Sequence, residues 1–255
     1  MIYTGIKKNY LILFLIIFIL IINLELCHAN EVGSTIDDSV PRVVLLELFV
    51  QANCSTCPHV EFCLEDLFWE YGPQKIILLE EHLWGDGYDI TETNNRYDWY
   101  VIEGKKGTPD LFINGLNKRI QGLACEDLEE NYDYYMEVID FEASKLANIK
   151  ISAVKKMVDS TITVTGRVEN IGKLVLENLA VCGMIYREGG EPGLSYWVKE
   201  IFSFQDLPQF FPQESIDFEF ISGLMVADED TDLHHAVIFV QNIVSKEVLQ
   251  AVYVE

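Results

Sequence analysis

The sequence predicts an α/β domain over residues 43–145 followed by an all-β sandwich over residues 146–255. Three observations carry that expectation. An apolar run of strand length, Val43–Val50, is followed by apolar residues at helical spacing, Val60, Leu64, Leu67 and Phe68, and then by a second short apolar run, Ile76–Leu79. Strand, helix, strand is the pattern of a βαβ unit, in which the strands are parallel and the crossover right-handed. After Leu146 the helical spacing gives way to seven short β-rich runs with turn residues between them, as in two packed antiparallel sheets. The chain is also longer than one compact core needs, at 255 residues, so two domains are the expected division.

The chain opens on a segment that does not belong to the fold. Lys7 and Lys8 precede an uninterrupted apolar stretch, Leu11–Ile22, too short to span a bilayer comfortably but the right length for a signal-peptide core. Cys27-His28-Ala29 offers a small-residue cleavage site, which makes residues 1–29 a signal peptide and Asn30 the first mature residue. Two other readings stay open. Cys27 is a lipid acceptor in one, although Leu26 stands where that processing favours a small residue, and the segment is an uncleaved anchor in the other. All three place the remainder outside the cytoplasm: periplasmic, secreted or held on the outer side of a membrane.

A polar leader, residues 30–42, brings the chain to the first domain. Val43–Val50 is nearly all apolar, as in a strand covered on both faces. The following helix, Pro58–Tyr71, is stopped by Gly72-Pro73, and Lys75–Glu80 supplies the second strand. Glu81–Ile90 reads as a loop rich in Gly, Asp and aromatics, and Thr91–Ile102 as a short helix. Asp110–Ile113 and Lys118–Gln121 pair around Asn114-Gly115, a strong hairpin signal. Glu126–Leu146 has the periodicity of a long helix. The seven strands of the second domain are Asn148–Val154, Thr161–Glu169, Leu179–Tyr186, Tyr196–Phe204, Ser215–Ile221, Ala236–Gln241 and Val248–Val254. Their number and spacing indicate an immunoglobulin- or fibronectin-like sandwich.

The chemistry is concentrated at Cys54-Ser55-Thr56-Cys57-Pro58, between the first strand and the first helix. A helix N-terminus presents unpaired N–H groups and the positive end of a dipole, which stabilise a thiolate, the nucleophilic form of cysteine. A hydroxyl from Ser55 or Thr56 is placed to donate to Cys54. The order β-α-β-α-β-β-α, with Cys-x-x-Cys after the first strand and Thr108-Pro109 opening the third, resembles the thioredoxin superfamily. More narrowly, Glu47-Leu48-Phe49 with Asn53-Cys54-Ser55-Thr56-Cys57-Pro58 and Gly107-Thr108-Pro109 resembles a group of exported bacterial thioredoxin-like proteins. The resemblance covers residues 43 to 145. It implies that Cys54 is the exposed nucleophile and Cys57 the buried resolving thiol. It further implies that Pro109 is a cis proline beside the dithiol, and that the Thr108 backbone pairs with an extended substrate segment.

The chain departs from that pattern in two places: Ser55-Thr56 matches none of the familiar dipeptides that mark strong reductants or oxidants, and an acid is displaced. The family places an acid six residues before the first cysteine, where it assists proton transfer from the resolving thiol. Leu48 stands there, with Glu47 one residue earlier. Strand alternation points Glu47 to the opposite face unless a bulge intervenes, so Glu47 is either a proton relay or a strand-end glutamate.

Five cysteines remain after Cys27, an odd number that leaves at least one thiol unpaired. Cys63 reads as a small buried apolar residue with a bridge to Cys125 as the alternative, and Cys182 as a buried free thiol. A net charge of −23 with no basic patch excludes nucleic acid and anionic membrane surfaces as partners, leaving the N-terminal segment as the only membrane attachment. The expected activity is thiol-disulfide exchange on protein thiols and disulfides, with no cofactor, because the dithiol is its own electron carrier. The alternative is a non-catalytic binding protein with a static disulfide, its partner meeting the β-sandwich or the loop of His82, Trp84 and Tyr88. A third reading makes Cys54, Cys57 and His59 a metal-carrying group. Asp228–Asp232 lacks the glycine and closing glutamate of a calcium loop and reads as a solvated turn.

Overall fold

In the computed structural model, which describes residues 39–123, 129–189 and 194–254, the first predicted strand is preceded by a two-residue strand, β1 (Val40–Pro41). The strand itself is β2 (Val44–Val50), buried at every position. A loop leads into α1 (Cys57–Tyr71), which packs Val60, Leu64 and Leu67 inward and ends at Gly72. β3 (Ile76–His82) returns parallel to β2, in register from Val44 opposite Ile76 to Val50 opposite His82 with no shift. The expected end of this strand at Glu80 is two residues short, since Glu81 and His82 still pair with β2 and are buried. α2 (Thr91–Tyr100) covers the opposite face of the sheet from α1, with Tyr97 and Tyr100 packed on Phe49 and Phe112. β4 (Asp110–Ile113) and β5 (Lys118–Gln121) form the predicted hairpin, antiparallel to β2. α3 (Glu129–Ala143) closes this half.

The second half is all β. After a short β6 (Leu146–Ala147), which pairs with β1, come β7 (Ile149–Val158), β8 (Thr161–Asn170), β9 (Leu176–Glu188), β10 (Tyr196–Ile201), β11 (Gln205–Phe210), β12 (Ser215–Met225), β13 (His234–Asn242) and β14 (Val248–Val254). β12, β8 and β7 form one layer, and β14, β13 and β9 with β10 and β11 form the other. Val164, Val168, Val181, Ile185, Phe218 and Ile238 are packed between them. The sandwich is therefore present, with the expected strand Tyr196–Phe204 ending early as β10 and an additional strand, β11, where none was expected. The chain breaks after Ile201, and both β10 and β11 then line up against the long β9. Pro208 hid β11, because proline reads as a strand breaker. Here it sits in a strand whose described partner is β9 alone, so its missing N–H costs no ladder bond on the open side.

The two halves share one sheet. Its order is β14-β13-β9-β10-β3-β2-β4-β5, with β11 also on β9, and the junction is a parallel contact of β10 with β3 at Trp197 and Glu80. The change from mixed to all-β elements falls at the expected boundary near residue 146, yet Asp38–Glu255 forms a single compact unit. Arg42 pairs with Glu142 in its own half and crosses the seam to Glu247, and Gln250 accepts from the Val43 N–H and donates to the Pro41 carbonyl. No helix among the described residues is long and apolar enough to cross a membrane.

Candidate functional site

Residues 51–56 leave the C-terminal end of β2 and turn directly into α1, whose first residue is Cys57 with Pro58 behind it. Proline suits this first turn because its missing N–H would have no intrahelical partner. Cys54 and Cys57 form a disulfide, with Cα atoms 5.5 Å apart. The Cys57 N–H lies 3.1 Å from the Cys54 sulfur, and the Thr56 hydroxyl lies 3.6 Å from it. The two sulfurs differ in access. Cys54 is half-buried and borders solvent, whereas Cys57 is 1% exposed and packs in the core with Val60 and Leu64. An incoming thiolate therefore has a path to the Cys54 sulfur and none to Cys57.

The loop is held from below. The Ala52 N–H donates to the Asp86 carboxylate at 2.9 Å, and the same carboxylate receives His82 Nδ1 at 2.7 Å and the Tyr88 N–H at 2.9 Å. Burial acts to raise the Asp86 pKa, but these hydrogen bonds outweigh it and hold the group below its ordinary value. On the other side, Phe49 pairs with Asp110, so the start of β4 lies beside the end of β2. The peptide bond before this strand, Thr108–Pro109, is cis. Tyr97 fixes the approach to it: its hydroxyl accepts from the Gly107 N–H at 3.0 Å and donates to Asp110 at 2.7 Å, while Arg119 chelates the same carboxylate. The Cys54 loop with the start of α1 at Cys57, and the Thr108-Pro109 loop before β4, thus lie at one end of the sheet.

Glu47 lies elsewhere. β2 runs without a bulge, so Glu47 points with Phe49 to the α2 face. It is fully buried, and its carboxylate accepts from Arg96 Nε and, at 2.8 Å, from the Tyr100 hydroxyl. Arg96 also donates to Gln241 of β13 at 3.2 Å, which carries this network into the second half.

Two acids on the α1 face escaped the reading of the sequence. Glu80 of β3 pairs across the sheet with Leu48, so their side chains share a face. Glu61 lies one helical turn after Cys57 on the buried side of α1. Glu80 is fully buried and Glu61 is 4% exposed. Burial and repulsion by Glu61 push Glu80 up to about 8, while burial and Glu65 push Glu61 up to about 7. The signal was a Glu-Glu pair at the end of an otherwise apolar strand, where two carboxylates need a reason to be buried.

The remaining cysteines divide. Cys182 is a buried free thiol, as expected, and burial pushes its pKa up to about 12. Cys63 is buried and disulfide-bonded, which corrects its reading as a simple apolar filler. Cys125 lies outside the described residues, as do the N-terminal segment and its cleavage site.

No family model matches the sequence, and no curated protein matches it. Among solved structures, HBP35 of Porphyromonas gingivalis is similar over 84% of this chain and 74% of its own, with a TM-score of 0.63 at 14% identity. A structural-genomics protein of Agrobacterium tumefaciens is similar over 84% of this chain and 95% of its own, with a TM-score of 0.52 at 14% identity. At such identities the likeness is one of fold: both halves of this arrangement recur together in bacterial proteins.

Proposed function

We propose that this chain is an extracytoplasmic thiol-disulfide oxidoreductase whose first half belongs with the thioredoxin superfamily. The observation that carries the reading is the Cys54–Cys57 disulfide at the start of α1, with one sulfur at solvent and the other buried. In the reduced protein the Cys54 thiolate attacks a partner disulfide, forming a Cys54–partner bond and releasing the partner's second sulfur as a thiolate. The Cys57 thiolate then attacks the Cys54 sulfur, re-forming the intramolecular bond and expelling the other partner thiolate. The reverse sequence oxidises a partner dithiol. The Cys57 N–H and the Thr56 hydroxyl stabilise charge on Cys54 in either direction. Glu61 and Glu80, on the same side of the sheet as α1, are the acids suited to taking up the Cys57 proton, a role the sequence had offered to Glu47.

The test is Cys57→Ala, expressed with its own leader and analysed without reductant. A Cys54-linked adduct with other proteins is expected, absent from the Cys54→Ala Cys57→Ala double variant. A folded Cys57→Ala protein that accumulates no adduct, with a wild-type disulfide resistant to strong reductant, points instead to a static bridge in a binding protein.

A further inference from the structure

A cleft of about 560 Å³ opens between α2 and the sheet of the second half. None of Cys54, Cys57, Thr108 or Pro109 lines it. Its helical wall is one face of α2, Glu92, Asn95, Arg96 and Trp99, at the i, i+3, i+4, i+7 spacing. Cys182, Ile201 and Gln241 line it from the sheet, and Phe202, Ser203, Phe204 and Ile243 complete it. Its size and aromatic lining are those of a small-molecule site.

The polar groups define what fits. The Arg96 side chain is only 10% exposed, and its charge is already balanced by Glu47. Glu81, 3.9 Å from Arg96 Nε, is a second buried acid beside the guanidinium, and burial together with the neighbouring Glu47 raises its pKa. The hydrogen bonds of Arg96 among the described residues use Nε and Nη2, which leaves the Nη1 hydrogens as donors where the side chain borders the cleft. The only other charged lining group is the exposed Glu92. A ligand anion would meet Glu92 and the Glu47 carboxylate behind a guanidinium that is already neutralised. A cation offers the Nη1 hydrogens no acceptor. An uncharged ligand with an acceptor oxygen meets neither cost and satisfies the free donors.

We propose that this cleft binds a small, flat, uncharged aromatic molecule whose body lies against Trp99, Phe202 and Phe204 and whose single acceptor oxygen receives a hydrogen bond from Arg96. The site is independent of the redox reading, since no residue of the disulfide loop lines it.

The test titrates the full chain with 6-propionyl-2-dimethylaminonaphthalene, a neutral fluorophore with one ketone acceptor whose emission shifts to the blue on leaving water. Saturable one-to-one binding is expected. Phe204→Ala should weaken it by about tenfold, and Ile243→Trp, which fills the cleft, should abolish it. Both positions are partly exposed, at 56% and 37%, and an unchanged unfolding midpoint verifies that each variant is folded. The carboxylate of the same scaffold, 6-dimethylamino-2-naphthoate, should bind about tenfold more weakly than the ketone. The proposal is overturned by a failure of the ketone to saturate, by binding that both variants leave unchanged, or by a carboxylate that binds as tightly.

Discussion

Glu80 and Glu81 are neighbours in sequence, yet β3 sends them to opposite faces of one buried sheet, Glu80 towards Glu61 of α1 and Glu81 towards Arg96 of α2. The proton on Glu80 has a measurable consequence. An unfolded carboxyl releases its proton near 4.5, whereas folded Glu80 holds it to about 8 and Glu61 to about 7. Between those values the folded state binds more protons, so stability falls as pH rises from about 4.5 to about 8. For Glu80 the loss amounts to about 3–5 kcal/mol. Urea unfolding of the oxidised protein from pH 5 to 8.5 should show this decline, and Glu80→Gln should flatten it while keeping an acceptor for the Tyr196 N–H. An identical slope in the variant would rule out Glu80 as its source. The two cysteines and Thr108-Pro109 were legible because their chemistry is written in short local motifs. Glu61, Glu80 and Arg96 were not, because what keeps each of them buried lies on elements far away in the chain.

The hairpin turn between β4 and β5 shows the same division for an element. Asn114-Gly115 announced the turn, and both residues do adopt positive φ, 49° and 67°. What the sequence did not announce is the surface the turn rests on. Gly115 bridges to Glu247, and a Cβ added there would sit 1.9 Å from the Lys246 carbonyl. The Asn114 side chain accepts from the Leu45 N–H at 2.9 Å and its carbonyl accepts from the Val248 N–H at 3.0 Å. Gly115→Ala therefore has to displace backbone as well as adopt an unfavourable φ. A loss of about 2–4 kcal/mol is expected in chemical denaturation, and a loss below 0.5 kcal/mol, the ordinary range of a surface change, would contradict the close approach.

For the whole molecule, the expectation of two domains captured the change of element type but not the way the halves join. The junction combines the parallel pairing of Trp197 with Glu80, the β1–β6 pair, the Gly115–Glu247 bridge and side chains such as Gln241 reaching Arg96 and Arg42 reaching Glu247. None of these has a periodicity that a sequence displays. Because the seam is hydrogen-bonded and buried, the halves should unfold together. Tryptophan fluorescence, with Trp69, Trp84 and Trp99 in the first half and Trp197 in the second, should report the same urea midpoint as far-UV circular dichroism. Two separated transitions would mean that the halves are autonomous.

The unbroken strand order from β14 to β5 also bears on how a partner is met. A chain of two beads on a linker settles its arrangement only when something binds, and part of the binding energy goes into that ordering. Here β10 and β3 lie in the same ladder, so the disulfide loop and the elements of the second half hold fixed positions before any encounter. Preorganisation of this kind lowers the entropy lost on association and slows dissociation more than it speeds arrival. In the proposed exchange reaction, selectivity would then rest on the shape presented at the end of β2.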